Sequence, residues 1–119
     1  MYREIRAMSP DLDAIDGHLR AALKAADTRE TGTESTAAQA ILTGILDQLK
    51  ELSRHEQESD VDARFVQAAI ASLNSAWSRA QKVAMGAGAN QMRDTVIDFK
   101  TDFDFARAYL RAAIGSEEV

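Results

Sequence analysis

Apolar or alanine side chains recur at alternating steps of four and three along four separate stretches of this chain. The stretches are Met8, Leu12, Ile15, Leu19, Ala22, Ala26; then Ala38, Leu42, Ile45, Leu49, Leu52; then Val66, Ile70, Leu73, Trp77, Ala80, Ala84; and finally Met92, Val96, Phe99, Phe103, Ala106, Leu110, Ala113. A helix turns once every 3.6 residues, so this spacing gathers each set onto one stripe. Sustained alternation of four and three is also the seam along which helices pack side by side. No stretch alternates with period two, so no strand is expected. The composition agrees: the 119 residues include 22 alanines, six glycines and one proline, which favours helix and supplies few breakers.

The polar punctuation between the stripes sets predicted helices near 10–27, 36–55, 60–85 and 90–114. Tyr2, Ile5 and Met8 suggest a further short helix before Pro10. Ser9-Pro10-Asp11 reads as an N-cap, a proline at the first helical position and an acid suited to the helix dipole. TRETGTES (28–35) has no periodicity and reads as a loop, with Ser35 or Thr36 capping the next helix. HEQESD (55–60) is the second break, with Ser59 as cap. VAMGAGANQM (83–92) holds two glycines but neither GxGxxG nor GK[ST]. It lies between two helices, so it reads as a turn, with Gly86 ending one helix, Gly88 keeping the turn permissive and Asn90 capping the next. Gly115 falls just past the last apolar position, where a helix-ending glycine belongs.

Short turns make neighbouring helices antiparallel. Counting outward from each turn sets Trp77 opposite Phe99, Leu73 opposite Phe103 and Val66 opposite Leu110. It sets Leu49 near Val66, Leu42 near Leu73, Ile15 near Ile45 and Leu12 near Leu49. The expected fold is therefore all-α: an antiparallel up-down-up-down four-helix bundle, one domain over 1–119. The third and fourth predicted helices exceed the others by about a turn and a half, so their hairpin is expected to protrude roughly 10 Å.

Charge limits the partners. With 14 basic and 19 acidic residues the net charge is −5, which disfavours nucleic acid and anionic membranes and favours a basic protein surface. No apolar run is long enough to span a membrane, and MYREIRAMSPDLD has no apolar leader. The chain has no cysteine, which excludes thiol chemistry and fits a reducing cytoplasm. Ten arginines to four lysines point to a GC-rich, bacterial genome.

Catalytic and cofactor signatures are missing. The histidines are His18 and His55, both beside the seams. A four-helix domain of this size invites comparison with histidine phosphotransfer domains, whose histidine is followed by a lysine-glycine pair. Here Leu19, Arg20, Ala21 and Ala22 follow His18, so the motif is absent. Di-metal bundles need Glu-x-x-His pairs on facing helices, and none exists. Asp94, Asp98 and Asp102 share a face, but Asn74, Ser78 and Gln81 oppose them, so they read as a solvated stripe. No enzyme activity, cofactor or metal is expected.

DFKTDFDFARAY (98–109) holds four of the seven aromatics. Phe99 and Phe103 lie on the seam. Phe105 lies about 200° round the helix from Phe103, Tyr109 flanks the seam, and Ile97 falls on the outer side. Outward aromatics rimmed by Asp98, Asp102 and Asp104 read as a partner-binding patch. The competing reading is a broad apolar face that is simply buried. Gly44 with Ala40 forms a small-x-x-x-small pair on the predicted second helix, and Ser-Glu-Glu-Val at 116–119 resembles a short peptide ligand. The expected function is a protein-binding module of adaptor, chaperone, immunity or inhibitor type, acting through Ile97, Asp98, Asp102, Asp104, Phe105 and Tyr109. The alternatives are a self-assembling oligomer and phosphotransfer through His18.

Overall fold

Pro10 divides the first helical stretch. It has no amide hydrogen for the carbonyl four residues back, so the chain breaks at Met8. In the computed structural model, which describes residues 1–55, 61–86 and 89–119, α1 (Tyr2–Ala7) and α2 (Ser9–Lys24) are separated by that residue alone. The Met8 amide donates to Ile5 O at 3.1 Å and its carbonyl accepts from the Leu12 amide at 2.9 Å. Met8 therefore occupies the N-cap position that the sequence assigns to Ser9, and no side chain caps α2. The short helix expected over residues 2–8 is present.

α3 (Thr28–His55) begins eight residues earlier than expected. The stretch TRETGTES is its first two turns, not a loop. Asp27 is the reason: its Oδ1 accepts from the Glu30 amide at 2.8 Å and its carbonyl from the Thr31 amide at 3.2 Å, an N-terminal cap with an acid three positions on. Thr31 and Thr33 turn their hydroxyls back onto the carbonyls of Asp27 and Arg29, so these polar residues are satisfied inside the helix. Ser35 and Thr36 cap nothing, and Ser35 is buried. Asp27→Ala is expected to cost about 1 kcal/mol in urea unfolding, whereas Ser35→Ala removes no cap and leaves α3 in place.

α4 (Ala63–Ala84) is capped by Asp62, whose Oδ1 accepts from the Arg64 amide at 3.0 Å. The proposed Ser59 cap and the rest of the 56–60 break lie outside the described residues. α5 (Ala89–Ile114) starts before Asn90, which therefore sits inside the helix instead of capping it. Gly86 (φ 83) turns the chain after α4, as expected; Gly88 lies outside the described residues. At the far end Gly115 has φ 64, and the Ser116 amide returns to Arg111 O at 3.1 Å, a closure only a left-handed residue permits.

α2 to α5 run antiparallel in sequence order, all-α, with no strand among the described residues. The stripes supply the core. Leu12, Ile15, Leu19, Leu42, Ile45, Leu49, Leu73, Phe99, Phe103 and Leu110 are sealed in one continuous cluster. In α4 the seam departs from the expected sequence of steps. After Leu73 it takes Ala76, then Ala80 and Val83, while Trp77 is 37% exposed and Ala84 is exposed. From Leu73, steps of three and of four both stay near the seam, and the small Ala76 is the side chain enclosed there. Ala26 lies beyond the end of α2 and is exposed.

Cross-helix bonds fix the registers. For α4 and α5 the Asp62 amide reaches Ala113 O at 3.0 Å, and Phe65 stacks on Tyr109. Both agree with the expected pairing of Val66 with Leu110 and Leu73 with Phe103. Between α3 and α4, Gln39 bonds Gln81 and Gln67 bonds Ser53, which slides the expected register by about one turn. Between α2 and α3, Thr31 Oγ1 reaches Ala22 O and His18 meets Glu34, a slide of about two turns that brings Leu12 level with Leu42 instead of Leu49. The early start of α3 causes this larger slide.

The same early start removes the expected protrusion of the α4–α5 hairpin. Ala22, Leu23, Val83, Met92 and Val96 form a second apolar cluster there, and the first turns of α3 lie against it. Arg93 closes the joint by donating to Leu23 O at 3.3 Å, at the C-terminal end of α2.

Candidate functional site

The expected patch on α5 divides into two flanks. Asp98, Asp102, Phe105 and Tyr109 are separated by steps of four, three and four, so they form their own stripe. That stripe turns toward α4, because Arg79 of α4 reaches both acids and Phe65 of α4 reaches Tyr109. Asp104 lies on the opposite flank, which turns toward α2, and Ile97 lies two turns before it on the outer side of α5. Asp104 there accepts from Lys100 Nζ at 2.8 Å, and the same ammonium reaches Asp16 of α2 at 3.2 Å. Ile97 is 43% exposed and, eight residues from Phe105, stands about 80° from it round the outer side of α5. The structure thus sets four of the six proposed residues on one stripe, turns Asp104 toward α2, and leaves Ile97 exposed on the outer side between the two flanks. The physical reason is the 100° step: residues 97 and 104 fall on one side of the seam, 98 and 105 on the other.

Phe105 is 56% exposed, so the broad buried face does not extend to it. Tyr109 is half-buried and packs against the core edge. Its ring stacks on Phe65 with centroids 6.3 Å apart and planes 26° from parallel. Phe65 itself is 37% exposed. Residues four apart on a helix are neighbours, so Phe105 extends this aromatic pair along α5. Sequence reasoning missed Phe65 because it lies one position before the Val66 seam; the signal was a large aromatic just off a stripe. It also missed Arg79, having placed Asn74, Ser78 and Gln81 opposite the acids. Arg79 approaches Asp98 at 3.8 Å and Asp102 at 3.6 Å, so two of the three acids in the expected solvated stripe are ion-paired. The flank is aromatic at one end and charged at the other.

The second flank is electrostatic. Burial pushes the Asp16 carboxyl up, but hydrogen bonds from Arg20 and Lys100 outweigh it and hold the group below the ordinary carboxylate value. Burial lowers Lys100, but bonds to Asp104 and Asp16 outweigh it and raise the ammonium above its ordinary value. A lowered acid contributes stability above its unfolded value and loses it as pH falls through the folded one. A raised base contributes below its unfolded value and loses it as pH rises through the folded one. The α2–α5 joint is therefore expected to hold across the neutral range and weaken at both extremes. The check is the urea midpoint at neutral pH and in acid: Asp16→Asn should narrow the difference between them, and an unchanged difference removes the ion network from the account.

His18 lies on α2 with Nδ1 2.7 Å from Glu34 Oε2 of α3, an interhelix pair. The side chain of His55 lies outside the described residues. Among the described residues no three histidine, aspartate or glutamate side chains are grouped as metal ligands. No helix among them is long and apolar enough to cross a membrane. No protein-family model, curated protein or solved structure matches the chain.

Proposed function

We propose that this chain is a protein-binding module whose contact surface is the α4-facing flank of α5: Phe105 at its centre, Phe65 and Tyr109 beside it, and Asp98 and Asp102 with Arg79 at the charged end. The observation that carries the reading is the exposure of Phe105 next to the stacked Phe65–Tyr109 pair. A phenylalanine more than half in water gains little for the fold, whereas a rigid aromatic group flanked by a second aromatic pair is what interface anchors are made of. The net charge of −5 favours a partner with a basic surface. Asp104 is left out of this surface because it turns toward α2 and pairs with Lys100, while Ile97 lies exposed at the outer edge of the surface.

A photo-crosslinking side chain placed at position 105, compared with one at Gly44, tests the assignment. Gly44 has open space where a side chain would project, so substitution there is tolerated. The expected result is an adduct with a different protein from position 105 and none from position 44. An adduct at twice the mass of the chain, formed from position 44, would replace this reading with self-assembly.

A further inference from the structure

Residues 116–119 fold back onto the bundle and are held by three arginines. Arg107 Nε donates to Val119 O at 3.1 Å and Arg111 Nε to the same oxygen at 2.7 Å. Arg6 of α1 pairs with Glu118. The Val119 side chain is fully buried and belongs to the same core cluster as Ile5, Leu110 and Ile114. Arg107 also reaches Asp13 at 2.6 Å, which fixes its guanidinium while one edge faces the segment. In a chain with five excess negative charges, three arginines converging on one four-residue stretch form a local exception.

The seated stretch belongs to no helix. Gly115 reverses the chain, the Glu118 amide bonds Ser116 Oγ at 3.2 Å, and the rest of the attachment is to the arginines and the apolar slot. Nothing in α5 needs to unwind for the segment to leave. A second segment of the same chemistry would replace its contacts like for like: a carbonyl oxygen between Arg107 and Arg111, an acid on Arg6, and a branched apolar side chain in the slot. We propose that this slot is a peptide-binding site for short segments of other proteins in which an acid is followed by a branched apolar residue, occupied in cis by Ser116–Val119. The segment that looked like a ligand for another domain is the resident ligand of this one. The slot lies on the α1–α2 side of α5, opposite the Phe105 flank, so either site stands or falls without the other.

The test uses the full chain and a fluorescein-labelled Gly-Ser-Glu-Glu-Val peptide, read by anisotropy. Val119→Asp puts a carboxylate where the buried side chain sits and unseats the resident segment. This variant is expected to bind the peptide at least about tenfold more tightly than the original chain, where the tethered segment competes at high effective concentration. Adding Arg107→Ala or Arg111→Ala to Val119→Asp should remove the binding. A folded Val119→Asp chain that does not bind, or that binds equally well without the arginines, overturns the proposal. If Val119→Asp fails to fold, the original chain serves. The Nε–H resonances of Arg107 and Arg111 should then broaden on saturation with the peptide carrying a nitroxide in place of fluorescein and stay sharp with an equally labelled, scrambled Val-Ser-Glu-Gly-Glu. Resonances that stay sharp with both labelled peptides also overturn it.

Discussion

Leu73→Ala is expected to lower the unfolding free energy by about 2–5 kcal/mol. Leu73 is fully enclosed in the main core, and so is Phe103, which the α4–α5 register places across from it. Alanine removes the isobutyl group, and a phenyl ring held in a helix moves too little to fill the space, so a cavity adds to the lost burial. The size of the loss depends on how far the site relaxes. Ala69 and Ala76, the buried neighbours on α4, are too small to reach into the gap, which argues for the upper half of the range. Denaturant unfolding of the variant checks it, and a change below about 0.5 kcal/mol would place Leu73 at the surface.

Phe105→Ala should separate stability from binding. The ring is 56% exposed, so its loss is expected to change the unfolding free energy by no more than about 0.5 kcal/mol. At an interface the same ring would become a buried anchor, and truncating it is expected to cost about 2 kcal/mol or more of binding, some thirtyfold in affinity. Asp98 and Asp102 should act on the association rate, which falls with added salt. Because Arg79 already pairs with both, Arg79→Ala is expected to strengthen the salt dependence toward a basic partner. Melting temperature and affinity measured together decide the case. Strong destabilisation would assign Phe105 to the core, and unchanged stability with unchanged binding would move the contact surface elsewhere.

The sequence alone determined which residues of α5 are enclosed. Periodicity follows from the 3.6-residue turn, so every position in the α5 stripe from Met92 to Ala113 is buried, and Phe105, about 200° from Phe103, is exposed. Gly86 and Gly115 were readable because only their backbones take positive φ without strain. Three things were decided in the tertiary structure. The start of α3 depended on Asp27, a cap that competes with a polar run lacking any stripe, and the competition is settled only when the new turns find the α4–α5 hairpin to rest on. The registers of α2–α3 and α3–α4 were not readable because seams that repeat every three or four residues offer apolar partners at many offsets. Matching Leu12 with Leu49 or with Leu42 looks equally good on paper. Only directional contacts such as Gln39–Gln81 and Thr31–Ala22 distinguish one offset from the next. The α4–α5 register was legible because its turn is short. The division of the α5 surface into a Phe105 flank and a Lys100 flank, and the seating of Val119 between two arginines, belong to the third kind. They depend on which helix stands on each side, a fact that no single helix carries in its own sequence.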